Sequence, residues 1–148
     1  MQLATRRATP SDVPLLVELM QEFYAETAVP LDTAWASASF QRLLAQDALG
    51  AVWVAEVGGE PAGHAVLTVR HSMEFGAADG FIDDLFVRAA HRRHGVGAAL
   101  PRELFVEAKR RHLRAVHVEV GRDNAAAHGL YARFGMKDRE RQLLTALL

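Results

Sequence analysis

The stretch Phe81–Leu100, F-I-D-D-L-F-V-R-A-A-H-R-R-H-G-V-G-A-A-L, sets the tightest limit on what this chain can become. It begins as an apolar run carrying two adjacent carboxylates, Asp83 and Asp84, and reads as a strand. A short basic turn, Arg88 to His94, follows, and Gly95-Val96-Gly97 opens a helix. Glycine lets the backbone take φ > 0 or pass close to a ligand. The first N–H groups of a helix lack intrahelical partners and lie at the positive end of its dipole. A helix entered this way therefore suits an anion, a phosphate above all. His91, Arg92, Arg93 and His94 add positive charge around that start. A dinucleotide-type loop would need three glycines just after a first strand and an acidic residue about 20 positions on. A P-loop needs Gly-Lys-Ser/Thr. Neither pattern is present, and a glycine-rich turn with no ligand is the plain alternative at this point.

Composition narrows the function. The 148 residues suit one domain, 1–148, and 50% hydrophobic with 24% charged residues suits a globular chain with a real core. A net charge of −1 gives no overall pull toward nucleic acid or an anionic membrane. No apolar run approaches the roughly 20 residues of a membrane span, and the N-terminus lacks the apolar core of a signal peptide. The chain contains no cysteine, which excludes disulfides, thiolate-bound metal and an acyl-cysteine intermediate. There is no Gly-x-Ser-x-Gly elbow. The seven histidines show no ligand spacing, so no metal is expected.

Taken in order, Leu3 to Ala8 reads as a strand. Thr9-Pro10-Ser11-Asp12 starts a helix with a capping-box-like spacing and proline at the first position. Val13, Leu16, Val17, Met20 and Tyr24 fall on one face of it. Pro30 marks a break, and Trp35 to Leu44 reads as a second, shorter helix. Ala51 to Val57 and Pro61 to Arg70 flank the turn Gly58-Gly59-Glu60 as a hairpin. Glu74 to Gly80 connects to the strand Phe81 to Val87. A third helix is expected from Val96 to Arg111, a strand from Ala115 to Val120 and a fourth helix capped at Asp123-Asn124. That helix runs to Phe134, with Gly135 in the left-handed position behind it. Gln142 to Leu148 reads as a last strand.

Two motifs stand in register along this order: Arg92-x-x-Gly95-x-Gly97, and Asn124-x-x-Ala127-x-x-x-Tyr131 followed by Phe134-Gly135-Met136. Seven residues is about two helical turns, so Asn124 and Tyr131 share a face. The joint pattern resembles the GNAT N-acetyltransferase superfamily over nearly the whole chain. The resemblance implies an α/β fold: a mixed central sheet of about six to seven strands flanked by about four helices. Its fourth and fifth strands would be parallel and splayed. It also implies acetyl-CoA as co-substrate. The pyrophosphate would lie on Arg92, Arg93, His94, Gly95, Val96, Gly97 and Ala98, and the pantetheine arm along Leu85, Phe86 and Val87, with Asn124 also on the cofactor.

The implied reaction is direct attack of a primary amine on the thioester within a ternary complex. The leaving thiolate needs a proton. A thiol near ~8.5 and a phenol near ~10 are close enough for Tyr131 to supply it. The thioester oxygen needs a donor, and a backbone N–H around Leu85 to Val87 would serve. The amine arrives as ammonium and must lose a proton; Asp83 is the first candidate base and Glu119 the second. Strand alternation sends Asp83 and Asp84 to opposite faces, so only one is expected to line the cleft, and which one stays open. Glu22, Glu26, Asp32, Glu74, Asp83 and Glu119 are candidates for an acidic mouth suited to a cationic amine, polyamine- or aminoglycoside-like. Glu22, Asp84 and Glu119 are read as substrate-binding. A protein N-terminus or lysine, or a non-catalytic acyl-CoA-binding module, are the other readings. The family suggests a homodimer, and a cytoplasmic setting is expected from the lack of a signal-peptide core or membrane span. Two residues depart from the family pattern. Pro101 removes the N–H that would bond the Gly97 carbonyl, so a kink is expected. His112 stands where relatives commonly have glycine.

Overall fold

A computed structural model describes residues 1–148. The chain forms two compact units, Met1–Val118 and Glu119–Leu148. The first is built on a five-stranded sheet in the order β1-β2-β3-β4-β5, comprising β1 (Leu3–Arg7), β2 (Gly50–Val57), β3 (Glu60–Ser72), β4 (Ala77–Val87) and β5 (Val116–His117). β1 to β4 pair antiparallel, and β5 runs parallel to β4. The helices are α1 (Val13–Glu26), α2 (Thr33–Ala45) and α3 (Val96–Arg110), with α4 (Ala125–Ala132) in the second unit.

β2 is buried along almost its whole length, which is why its sequence is a near-continuous apolar run. Its alternation divides the core. Val52 and Val54 meet Val13, Leu16 and Met20 of α1 and Ala36 and Phe40 of α2. α3 packs against β1 to β4 and buries Val96, Leu100, Leu104 and Ala108. Thr9 and Asp12 form the expected capping box, and Arg6 grips both Asp12 oxygens at 2.8 Å.

The sheet is smaller than expected. β5 shrinks to Val116–His117, and 142–148 form no strand. A strand needs a ladder partner, and within one chain this segment has none; Leu143, Leu144, Leu147 and Leu148 stay exposed. β4 begins earlier than read, at Ala77. α3 continues through Pro101 as one helix. It ends as the sequence suggested, with His112 at φ 58°. The Leu113 N–H bonds Ala108 O and the His112 N–H bonds Lys109 O, the paired bonds of a Schellman turn.

Candidate active site

β4 carries the site, and a bulge in it decides what the site contains. Pairing with β3 jumps from Val66–Asp84 to Leu67–Ile82, leaving Asp83 as the extra residue. A bulge re-aims side chains that strict alternation would send to opposite faces. Both Asp83 and Asp84 therefore line one cavity of about 280 Å³. The expectation that only one could do so is corrected by this irregularity. Helical spacing supplies Met20 and Tyr24 from α1, and Trp35, Ser39 and Leu43 from α2. Phe40, Val66 and Thr68 complete an apolar wall with a few hydroxyls. Asp84 is 8% exposed, whereas Asp83 is open to solvent. The Tyr24 phenol is pushed up by burial and by the two neighbouring carboxylates.

Three acids of the expected mouth, Glu22, Glu26 and Asp32, are engaged elsewhere. Glu22 holds Arg88, whose Nη2 lies 2.7 Å from Oε1, and Arg88 also pairs with Glu18. Glu26 holds Arg92 at 2.7 Å. Asp32 caps α2 by accepting the Trp35 N–H. Glu119 belongs to the second unit and is exposed.

Past Phe81, β4 has no pairing with β5, which meets it only at Gly80 and Phe81. The Arg88 N–H donates to Ala62 O of β3. Counting back by twos, the Phe86 N–H faces β3 and those of Leu85 and Val87 face the opposite edge, where β5 has ended. The side chain of Phe86 is buried and stacks on Phe23 at 5.5 Å. Leu85 and Val87 are half-buried.

The turn after β4 gathers the N–H groups of the α3 start. Arg93 and Gly95 have φ of 66° and 85°, and such left-handed residues fold a turn into an N–H-lined concavity. Gly95 is the N-cap of α3. At Gly97 neither φ nor packing demands glycine, because an added Cβ would meet nothing within 4 Å. The space beside its Cα is open. Val96 anchors this turn in the core, while Ala98 is half-buried and His94 exposed. Arg92 is held by Val87 O at 2.9 Å as well as by Glu26.

In the second unit the Asn124 side chain accepts the Ala127 N–H and caps α4. Tyr131 is buried, and burial alone pushes its phenol up to about 12. A phenol so placed is protonated at neutral pH and has its proton to donate.

His64 escaped the sequence reading, although a signal existed. It is a lone polar residue within the apolar run Ala62–Leu67 of a strand. It is completely buried, with Nε2 3.5 Å from Asp84 Oδ2. No three of His, Cys, Asp and Glu gather as ligands for a metal ion.

A mixed sheet whose β4–β5 pairing ends at Phe81, followed by a helix entered through Gly95 and Gly97, defines the fold class. The sequence matches the Acetyltransferase (GNAT) family over residues 15–136, and the chain belongs to that family. It is 31% identical, over 107 residues and 72% of its length, to an uncharacterized N-acetyltransferase of Methanocaldococcus jannaschii; it spans about half, 47%, of that relative. An integron cassette protein from the mobile metagenome of Cole Harbour Salt Marsh is 38% identical with a TM-score of 0.89, covering 97% of this chain and 90% of the other. A predicted acetyltransferase from Clostridium acetobutylicum, solved with acetyl-CoA, shares the fold at 18% identity and a TM-score of 0.82, over 98% and 96% of the two chains.

Proposed function

We propose that the protein transfers the acetyl group of acetyl-CoA to a primary amine, a small cationic one of polyamine- or aminoglycoside-like character, by direct attack in a ternary complex. The observation that carries this reading is the pair of carboxylates side by side in a cavity of about 280 Å³ with apolar walls. That volume is at the small end of ligand pockets, which run from about 300 to 1,000 Å³. Two carboxylates attract an ammonium group, and apolar walls take the carbon skeleton.

In this reading the pyrophosphate lies on the N–H groups of the turn from Arg92 to Ala98. The acyl arm runs along Leu85 to Val87, whose outward N–H groups stabilise the developing oxyanion. Asn124 contributes to the cofactor side. The Asp83–Asp84 pair binds the ammonium and takes its proton, and Tyr131, kept protonated by burial, hydrogen-bonds the leaving sulfur, although at about 12 its phenol is a weaker acid toward a thiolate than an ordinary one.

Release of CoA thiol from acetyl-CoA tests the proposal across polyamines, aminoglycosides, amino acids and short peptides. The protein has no cysteine to react with the thiol reagent. Release with small cationic amines is expected. Release with peptides alone would reassign the acceptor. Binding of acetyl-CoA without release would leave a binding module, and no binding would overturn the reading. Tyr131→Phe is expected to lower kcat about 100-fold with acetyl-CoA binding retained; unchanged turnover would remove the proton-donor role. Gly97→Val, which places a side chain in the open space above the turn, is expected to abolish acetyl-CoA binding in calorimetry.

We also propose a homodimer acting in the cytoplasm. The exposed leucines of 143–148 support an association surface, and light scattering on the eluting protein reads its mass. No helix is long and apolar enough to cross a membrane.

A further inference from the structure

His64 is a buried imidazole beside a carboxylate, yet without a hydrogen bond to it. Its side chain is fully buried, and neither ring nitrogen has a hydrogen bond. Buried polar atoms are nearly always satisfied, so an orphaned imidazole in a core asks for a cause. Its surroundings are apolar on most sides. Val54 of β2 lies opposite it in the sheet, and Phe40 of α2 and Phe86 of β4 face the ring at 6.3 Å. The ionisable side is the cavity: Asp84 at 3.5 Å, with Asp83 and the Tyr24 phenol beyond. Arg88, with Glu18 and Glu22, stands at the α1–β4 edge and is satisfied there. Nε2 and the carboxylate oxygen stand one small movement from a hydrogen bond, and an imidazole nitrogen and a carboxylate can share one proton between them.

We propose that His64 and Asp84 form the proton-accepting dyad of the acceptor cavity, with Asp84 touching the ammonium, His64 holding its proton behind it, and Asp83 serving as cation anchor. This rests on the acetyl-transfer reading above. A carboxylate is a weak base toward an amine, and an imidazole beside it gives the proton a second nitrogen to rest on. The ammonium N–H bond breaks and its proton goes to Asp84, then from Oδ2 to Nε2 of His64. The freed amine lone pair attacks the thioester carbon, the C–N bond forms and the C–S bond breaks. The second nitrogen proton, shed after attack, balances the one delivered to sulfur. The imidazolium returns its proton through Asp84 to the cavity as products leave, so one proton reaches solvent per turnover. His64 touches no substrate; it acts through Asp84 as a positioning residue.

The test uses two acceptors of equal size, an alkylamine and its fluorinated, weakly basic counterpart, with kcat and KM measured by CoA release. His64→Leu is expected to lower kcat for the alkylamine about 100-fold at neutral pH, with KM little changed. The loss should shrink at least tenfold for the fluorinated amine, which is already neutral, and for the alkylamine as pH approaches its own pKa. The variant should melt no lower than wild type, since it removes an unsatisfied polar group. An equal loss for both amines at every pH, or no loss, overturns the dyad. Should His64→Leu not fold, Asp84→Asn replaces it and must give the same amine-dependent pattern, while Asp83→Asn raises KM for both amines alike. If wild type releases no CoA with either amine or with the wider acceptor panel, the acetyl-transfer reading itself fails.

Discussion

His112 holds a side chain in a conformation that suits glycine, at φ 58° behind the last turn of α3. The Schellman bonds from Leu113 and His112 keep it there. His112→Gly removes the Cβ penalty and is expected to stabilise the protein by about 1 kcal/mol, raising Tm by a few degrees. A melt unchanged or lower would show that the backbone there relaxes at no cost. This position was legible in the sequence, because helix ends follow local rules. The same holds for Asn124, whose side chain caps α4. That Asp83 and Asp84 share one cavity was not legible. Alternation separates neighbours on a regular strand, and only pairing with β3 reveals the extra residue. His64 was hidden for a related reason: its partner Asp84 is twenty positions away and meets it only across the β3–β4 ladder.

At the scale of elements, long periodic segments were easy to read and short or partner-dependent ones were not. α1 and α3 announce themselves by an apolar face and a start signal. β5 depends on how far β4 accompanies it, and 142–148 depend on a ladder partner that a single chain does not offer. α3 tolerates Pro101 because tertiary burial holds the helix; the proline is fully buried. Proline still denies the Gly97 carbonyl its helical donor. Pro101→Ala restores that donor at the cost of a small void. The expected net gain is about 1 kcal/mol in chemical denaturation, with a changed affinity for acetyl-CoA as the turn at Gly97 gains an i−4 bond. A loss of stability would mean that the ring's packing outweighs the missing bond.

For the molecule as a whole, charge is arranged as local clusters. Arg6 holds the Asp12 carboxyl down to about 2, chiefly by its hydrogen bonds. Arg110 and then Arg111 do the same for Glu107, also to about 2. Folded values below the ordinary carboxylate range mean that these groups add stability above about pH 4. That contribution is lost as pH falls toward 2. Asp12→Asn is therefore expected to be roughly 1 kcal/mol less stable at pH 7, allowing for screening at the partly exposed Arg6, and to match wild type near pH 2. Melting curves across that range check it; a constant gap would remove the ionic origin.

The bulge at Asp83 has one more consequence. Deleting a single residue between Gly80 and Asp84 would straighten β4 against Leu67 without disturbing the ladder on either side. The cavity would then keep one carboxylate instead of two. The extra residue thus sets how many carboxylates face the cavity, one or two, while Met20, Tyr24, Trp35 and Phe40 on the helices form its other wall.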